Sequence, residues 1–244
     1  MPQDSGSRLK ALAGSPRVLS AAAMALAALP VLSAFLPNRI FYIRDLSLYF
    51  WPRYLWLRRT LLSGEWPLWD PFLATGQSAV ADALHQMFLL PALLLRLIGS
   101  ERIGFNLWVA APFPIAALGM FSYLRARFAA HAAVVGAIAF SLCGPVVSTG
   151  NFPNLSWSVA GMPWVLWAAD RCVDRGGRGV ATLAVLFALQ ALAGEPVTLT
   201  ATAALVIGHA VALGSPRGQA WLLMPALRGT AVAAVGLALG GLLA

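Results

Sequence analysis

Asp45 stands where a long apolar run gives way to polar sequence, with Arg44 beside it. A carboxylate at the rim of a membrane cavity is partly desolvated, so its presence points to a partner or a role. As a general base it could take a proton from an acceptor hydroxyl. The structural alternative is an ion pair with Arg44 or another nearby arginine. Further on, Arg53, Arg58 and Arg59 are interleaved with Trp51, Tyr54, Trp56 and four leucines at near-helical spacing. Such a helix can lie in a headgroup layer with its aromatics at the interface. Its guanidinium groups can hold a phosphate through paired hydrogen bonds. The next stretch, GEWPLWDPFLATGQ from residue 64 to 77, carries Trp69 and Asp70. Its prolines and glycines break helix and set a turn-rich connector. A tryptophan there either stacks on a sugar ring or anchors the loop at an interface. Asp82 and His85 follow at a spacing too sparse to define a metal site. Glu195, in AGEPVT, either lines the same cavity as Asp45 or caps the helix that follows it.

These residues belong to an unusually apolar chain. Apolar types make up 59% of the 244 residues and charged types 11%, with a mean hydropathy of +0.75. A soluble domain carries about 25% charged residues, so this composition cannot build a water-facing surface. The net charge of +8 is spread between apolar runs rather than gathered on one face. That pattern fits membrane topology and argues against a nucleic-acid partner. Cys143 and Cys172 suggest neither a disulfide framework nor a zinc site. No glycine-rich phosphate loop is present, which argues against an ATP-driven machine.

A spanning helix needs roughly 20 mainly apolar residues. Segments 18–37, 103–124, 129–147, 156–169, 180–193 and 197–213 are candidates, and a last run starts near Gly229. The segment 88–98 is short, interrupted by Arg96, and reads as interfacial or re-entrant. If it does not cross, Arg125 and Arg127, then Arg171, Arg175 and Arg178, then Arg217 and Arg228 all fall on the side of Arg8, Lys10 and Arg17. The positive-inside rule then puts that side in the cytoplasm. The expectation is an all-α, polytopic membrane helical bundle. Residues 1–17 form a cytoplasmic tail and 18–244 a transmembrane module of about seven spans, the last incomplete. Its long outer loop, 38–102, carries interfacial helices and holds seven arginines and five acids.

The order of Asp45, Tyr49 and Pro52 after a first span, then Gly64-x-x-Pro67-Leu68-Trp69-Asp70-Pro71 and Gly76, resembles the YfhO-like bacterial membrane proteins. These are placed among glycosyltransferases of the GT-C fold. The corresponding connector there commonly carries Asn where this chain has Asp70. The resemblance runs from the first span to about Ala193. It implies an N-terminal GT-C module whose first outer loop carries two helices along the membrane, with an acidic residue, here Asp45, near the catalytic centre. It also implies that the whole protein is longer than this chain. The implied donor is a sugar on a polyprenyl phosphate, used at the outer face of the bacterial cytoplasmic membrane. Some members of the superfamily need a divalent metal and others do not, so no metal is assigned.

The functional expectation is therefore transfer of a sugar from a polyprenyl-phosphate donor to an envelope polymer or protein. Asp45 is the catalytic candidate. Arg44, Arg53, Arg58, Arg59, Trp69, Asp70, Asp82 and Glu195 are candidates for holding the substrate. Two other classes fit the sequence. One is a non-catalytic membrane scaffold whose outer loop docks a protein. The other is a lipid or solute transporter, which usually places ionisable groups within its spans, and these spans hold almost none.

Overall fold

The computed structural model describes residues 15–175 and 177–214. The expected span from Gly229 lies outside the described residues, as do Arg8, Lys10, Arg217 and Arg228. The described chain is mostly helical. Helix α1 (Pro16–Ala28) begins with the Ser15 side chain accepting the Val18 N–H and with Pro16 in the first turn, where its missing donor costs nothing. It tightens into a 3₁₀ segment over Leu29–Phe35, which contains Pro30. A wide π-type turn over Leu46–Phe50 leads into α2 (Trp51–Leu62). After the connector come α3 (Leu90–Leu97), α4 (Glu101–Ala110) and α5 (Pro112–Leu124). The chain continues through α6 (Ala130–Ser141), α7 (Gly144–Ser148), α8 (Pro153–Arg175), α9 (Gly177–Ala191) and α10 (Pro196–Gly214).

Two stretches are long and apolar enough to cross a membrane, Pro16–Phe35 and Glu101–Leu124. A third exists if the pair Ala130–Ser141 and Gly144–Asn151, bent by 44°, counts as one span. Helix α8 is long enough, but its tryptophans, serines and Asp170 leave it less apolar than a span. Helices α9 and α10 contribute the shorter apolar stretches Arg178–Ala191 and Pro196–Ala210. The short segment around Phe88 forms only the eight residues of α3, about 12 Å of helix, far less than a bilayer core.

The helices meet through small residues. Ala23, Ala133 and Ala137 are fully buried where α1, α5 and α6 pack together. Gly119 lies under the Trp164 indole, where a Cβ would come within 2.7 Å of the ring. A larger core joins the connecting segment to the bundle: Leu46, Phe50 and Tyr54 pack with Leu89, Ala92, Phe105, Trp108 and Trp157. Trp51 stacks on Tyr54 and meets Phe105 edge-on. The sequence placed Tyr54 at a lipid interface; in the structure it is buried, because α2 lies against α4.

Beneath that core lies a buried cation. Arg96 is 2% exposed, and its NH1 donates to the His85 carbonyl while NH2 donates to Gln86 Oε1. Its guanidinium carbon lies 4.0 Å from the Trp108 ring centroid. Gln86, in the left-handed region at φ 50°, also accepts from Trp108 Nε1 and donates to the Ala193 carbonyl. Burial draws the Arg96 guanidinium down to about 9, partly opposed by Tyr54, so it stays charged at neutral pH. The backbone carbonyl of Arg96 accepts from Arg58 and from Tyr54 Oη. Gly104 makes this approach possible, since a Cβ there would sit 2.5 Å from that carbonyl and 2.6 Å from the Tyr54 hydroxyl.

Gly104→Ala should therefore separate α3 from α4 and cost about 1–3 kcal/mol, the range for forcing atoms into a filled core. Thermal unfolding of the purified protein in detergent checks this; an unchanged midpoint would remove the close approach from the account.

Candidate functional site

The polar groups of the connecting segment gather on one side of α2. The connector is held by a two-residue antiparallel ribbon, Trp69–Asp70 against Gln77–Ser78, where the sequence suggested turns alone. Gly76, at φ +104°, lets the Trp69 ring lie across its backbone; a Cβ would fall 2.8 Å from the indole nitrogen. Asp70 is 2% exposed and folds back to accept the Phe72 N–H at 2.9 Å. Asp82 starts a 3₁₀ turn over Ala83–His85 by accepting the Leu84 N–H. These turns bring Asp70 and Asp82 to opposite sides of the buried His85 imidazole. Nε2 lies 3.6 Å from Asp70 Oδ2, and Nδ1 lies 3.3 Å from Asp82 Oδ2. Neither contact is a well-formed hydrogen bond, and the ring also meets Trp56 edge-on.

Helix α2 supplies the counter-charge. Arg53 NH1 donates to Asp82 Oδ2 at 2.7 Å and to the Tyr49 hydroxyl, with its guanidinium carbon 3.7 Å from the Tyr49 ring centroid. Gln77 Nε2 adds a longer bond to the same carboxylate oxygen at 3.3 Å. Burial alone would raise the Asp82 carboxyl. The His85 imidazole, the Leu84 N–H and the Arg53 guanidinium outweigh burial and hold it at about 2. The Tyr49 hydroxyl is raised, by burial first and then by the Asp82 charge.

Two hollows open on this cluster. One, of about 470 Å³, runs along α2 between Tyr49, Trp56 and Phe72, with Arg53, Arg59 and Asp70 in its walls. The other, of about 550 Å³, is wider and more polar, with Gln77, Ser78 and Asp82. Tyr49, Arg53 and Leu73 belong to both and form the ridge between them.

The residues singled out in the sequence divide accordingly. Arg53, Arg59, Asp70 and Asp82 come together. Arg58 does not: it is buried and donates to the carbonyls of Arg96 and Gly99, so no phosphate can reach it. Arg59 is exposed and pairs with Glu101 through Nε at 2.9 Å. Such an exposed pair exchanges readily for another anion. Asp45 is exposed and opens the turn that carries Tyr49, with no side-chain capping bond and no ion pair with Arg44. Arg44, at φ 49°, is exposed too, and its carbonyl accepts from Ser47 and Leu48. Trp69 is exposed outside both hollows. Glu195 accepts the Val197 N–H at 3.1 Å and so caps α10, the simpler of its two sequence readings. It lines neither hollow.

His85 was legible only as a sparse metal pair with Asp82, and Gln77 gave no signal. Tyr49 and Arg53 sit four apart, which is the spacing of helical neighbours. Among the described residues no group of three or more His, Cys, Asp or Glu side chains could hold a metal ion. A second ionic cluster lies elsewhere: Arg127 donates two 2.6 Å bonds to Asp170, and His209 Nε2 lies 2.6 Å from the same carboxylate. Comparison with protein-family models, curated proteins and solved structures returned no match. The likeness in the connector therefore rests on the residues themselves.

Asp82 is depressed in the folded state, so its stabilisation is complete above its ordinary value of 3.8 and is lost as pH falls towards about 2. Protection of the connector's backbone amides, taken relative to intrinsic exchange at each pH, should thus be level from neutrality to about pH 4 and give way to faster exchange below it. Asp82→Asn should bring the faster exchange to neutral pH; protection identical to wild type would remove the cluster as the connector's anchor.

Proposed function

We propose that the protein is a GT-C-type membrane glycosyltransferase, moving a sugar from a polyprenyl-phosphate donor to an envelope polymer or protein. In this reading the helices form a polytopic bundle in a bacterial cytoplasmic membrane with the N-terminus inside, and 38–102 is the outer loop of a YfhO-like module. The observation that supports it is the double hollow divided by Tyr49 and Arg53. One lobe is narrow and aromatic, the other open and polar; Arg53 stands at the boundary and Arg59 in the wall of the narrow lobe. An amphiphile with an anionic junction, such as a lipid-linked sugar phosphate, matches that layout.

The residues then take distinct parts. Arg59 exchanges Glu101 for the donor phosphate and stabilises the charge that develops on it. Arg53, already neutralised by Asp82, shapes the ridge and orients Tyr49. Asp82, held at about 2, is too weak a base to accept a proton. Like Glu65, Asp45 has no side-chain partner among the described residues, and it stands on the turn that carries Tyr49 though it lines neither hollow. It orients the acceptor hydroxyl and takes its proton as the hydroxyl oxygen bonds to the anomeric carbon. The bond from that carbon to the phosphate oxygen breaks in the same step, and polyprenyl phosphate leaves with the electron pair.

A scaffold reading is favoured by one other observation. The connector exposes Trp66, Leu68, Trp69 and Phe72, the last at 83%, and exposed apolar side chains of this kind suit protein docking.

Saturable binding of a labelled polyprenyl-phosphate sugar to the full chain in nanodiscs separates the two. Arg59→Ala should weaken it about tenfold, the order expected for one charge-assisted hydrogen bond. Asp45→Asn should leave binding intact and abolish transfer. Absence of binding by folded, inserted protein would transfer the case to the scaffold.

A further inference from the structure

A third cavity, of about 260 Å³, lies away from the connector's polar cluster, between the start of α3, α5, α8 and α9. Its walls are Leu89, Ile115, Leu186 and Leu189 together with the rings of Trp157 and Trp164. Both indole N–H groups are already committed: Trp157 donates to the Trp108 carbonyl at 3.1 Å and Trp164 to the Ile115 carbonyl at 3.0 Å. The rings therefore contribute carbon surface. Gln190 is the one polar side chain in the wall, and its Nε2 donates to the Ser158 carbonyl and to Thr202 Oγ1. Its Oε1 has no hydrogen-bond partner and almost no accessible surface, so it offers nothing to an occupant of the hollow. Gly161, also in the wall, lets α8 come close to α9: a Cβ there would meet the Gln190 side chain at 3.1 Å.

A hollow with no hydrogen-bonding group on offer selects hydrocarbon. We propose that it holds a single acyl chain of a membrane lipid, whose headgroup stays outside. Three observations favour that occupant. Ile115 belongs to Glu101–Leu124, one of the stretches long and apolar enough to cross a membrane, so in a bilayer the cavity adjoins lipid chains. Size agrees: an apolar cavity of about 150 Å³ takes a benzene ring, so by proportion this one takes roughly ten carbons. Lastly, acyl chains surround any chain of this composition in large excess over other hydrocarbon. The bound chain would brace α8 and α9 against the start of α3. The inference rests on the bilayer setting and not on glycosyl transfer.

The test uses the full chain in nanodiscs containing a phospholipid with a diazirine near the end of one acyl chain. After photolysis, adducts should concentrate on peptides spanning 157–164 and 186–190. Gly161→Leu should lower that labelling several-fold by filling the hollow. Leu189→Trp fills it from the opposite wall and guards against misfolding of the first variant. Flotation with liposomes, run on each protein, reports membrane insertion separately. Labelling spread evenly over the lipid-facing helices of inserted protein, or undiminished in both filled variants, would overturn the acyl-chain site alone. Preferential labelling by a polyprenol diazirine at equal concentration would overturn the choice of an acyl chain. Wild-type protein that fails to float would overturn the bilayer setting itself.

Discussion

The arrangement of the connecting segment depends on one buried guanidinium. Taking a charge out of water costs several kcal/mol unless partners replace the lost hydration. Arg96 finds them in the His85 carbonyl and Gln86 amide, neighbours in one turn, and in the face of Trp108 on α4. The same residue's carbonyl gathers Arg58 and Tyr54 from α2. Removing the cation would strip the His85 carbonyl of this donor and leave Gln86 Oε1 with Trp108 Nε1 alone. So α2, α3, α4 and the turn at 83–86 are tied to a single centre, and the polar cluster around Asp82 is built on top of it. His85 belongs to both layers: its carbonyl faces Arg96 and its ring faces the two carboxylates.

Electrostatics divides the arginines of the segment into kinds that do different work. Arg58 and Arg96 bind backbone carbonyls and behave as cross-links. Arg53 binds a carboxylate and a phenol and behaves as part of a surface. Arg59, paired only with an exposed glutamate, is the most easily diverted to another anion. Arg58 and Arg59 adjoin in the sequence yet end on opposite sides of α2, one in the core and one in water. What separates them is α4 lying against α2, with Gly104 thin enough to admit the Arg58 side chain.

The apolar runs were legible because a bilayer imposes a length, and two of them appear as helices that meet it. The connector's prolines and glycines were legible as turns, and Gly64 and Gly76 do adopt positive φ. Partnerships were not legible. Arg53 and Asp82 are 29 residues apart, and nothing local marks them as a pair. Arg96 read as a flaw in an apolar helix, because sequence gives the presence of a charge and not the direction it faces. Asp45 and Glu195 read alike, as acids near helix ends; only the fold separates a capping carboxylate from an uncommitted one. Tyr54 read as an interfacial aromatic because its spacing on α2 says which face it shares and not what covers that face.

The bond from Gln86 to the Ala193 carbonyl joins residues 107 apart in the chain. Ribosomes deliver about 5–20 residues per second, so Gln86 waits roughly 5–20 s for that partner to be made. Gly194, whose backbone abuts Ala83, arrives equally late. During synthesis the connecting segment is thus a guest without its last wall, holding a charge destined for the interior. Its completion is timed by the emergence of the turn between α9 and α10.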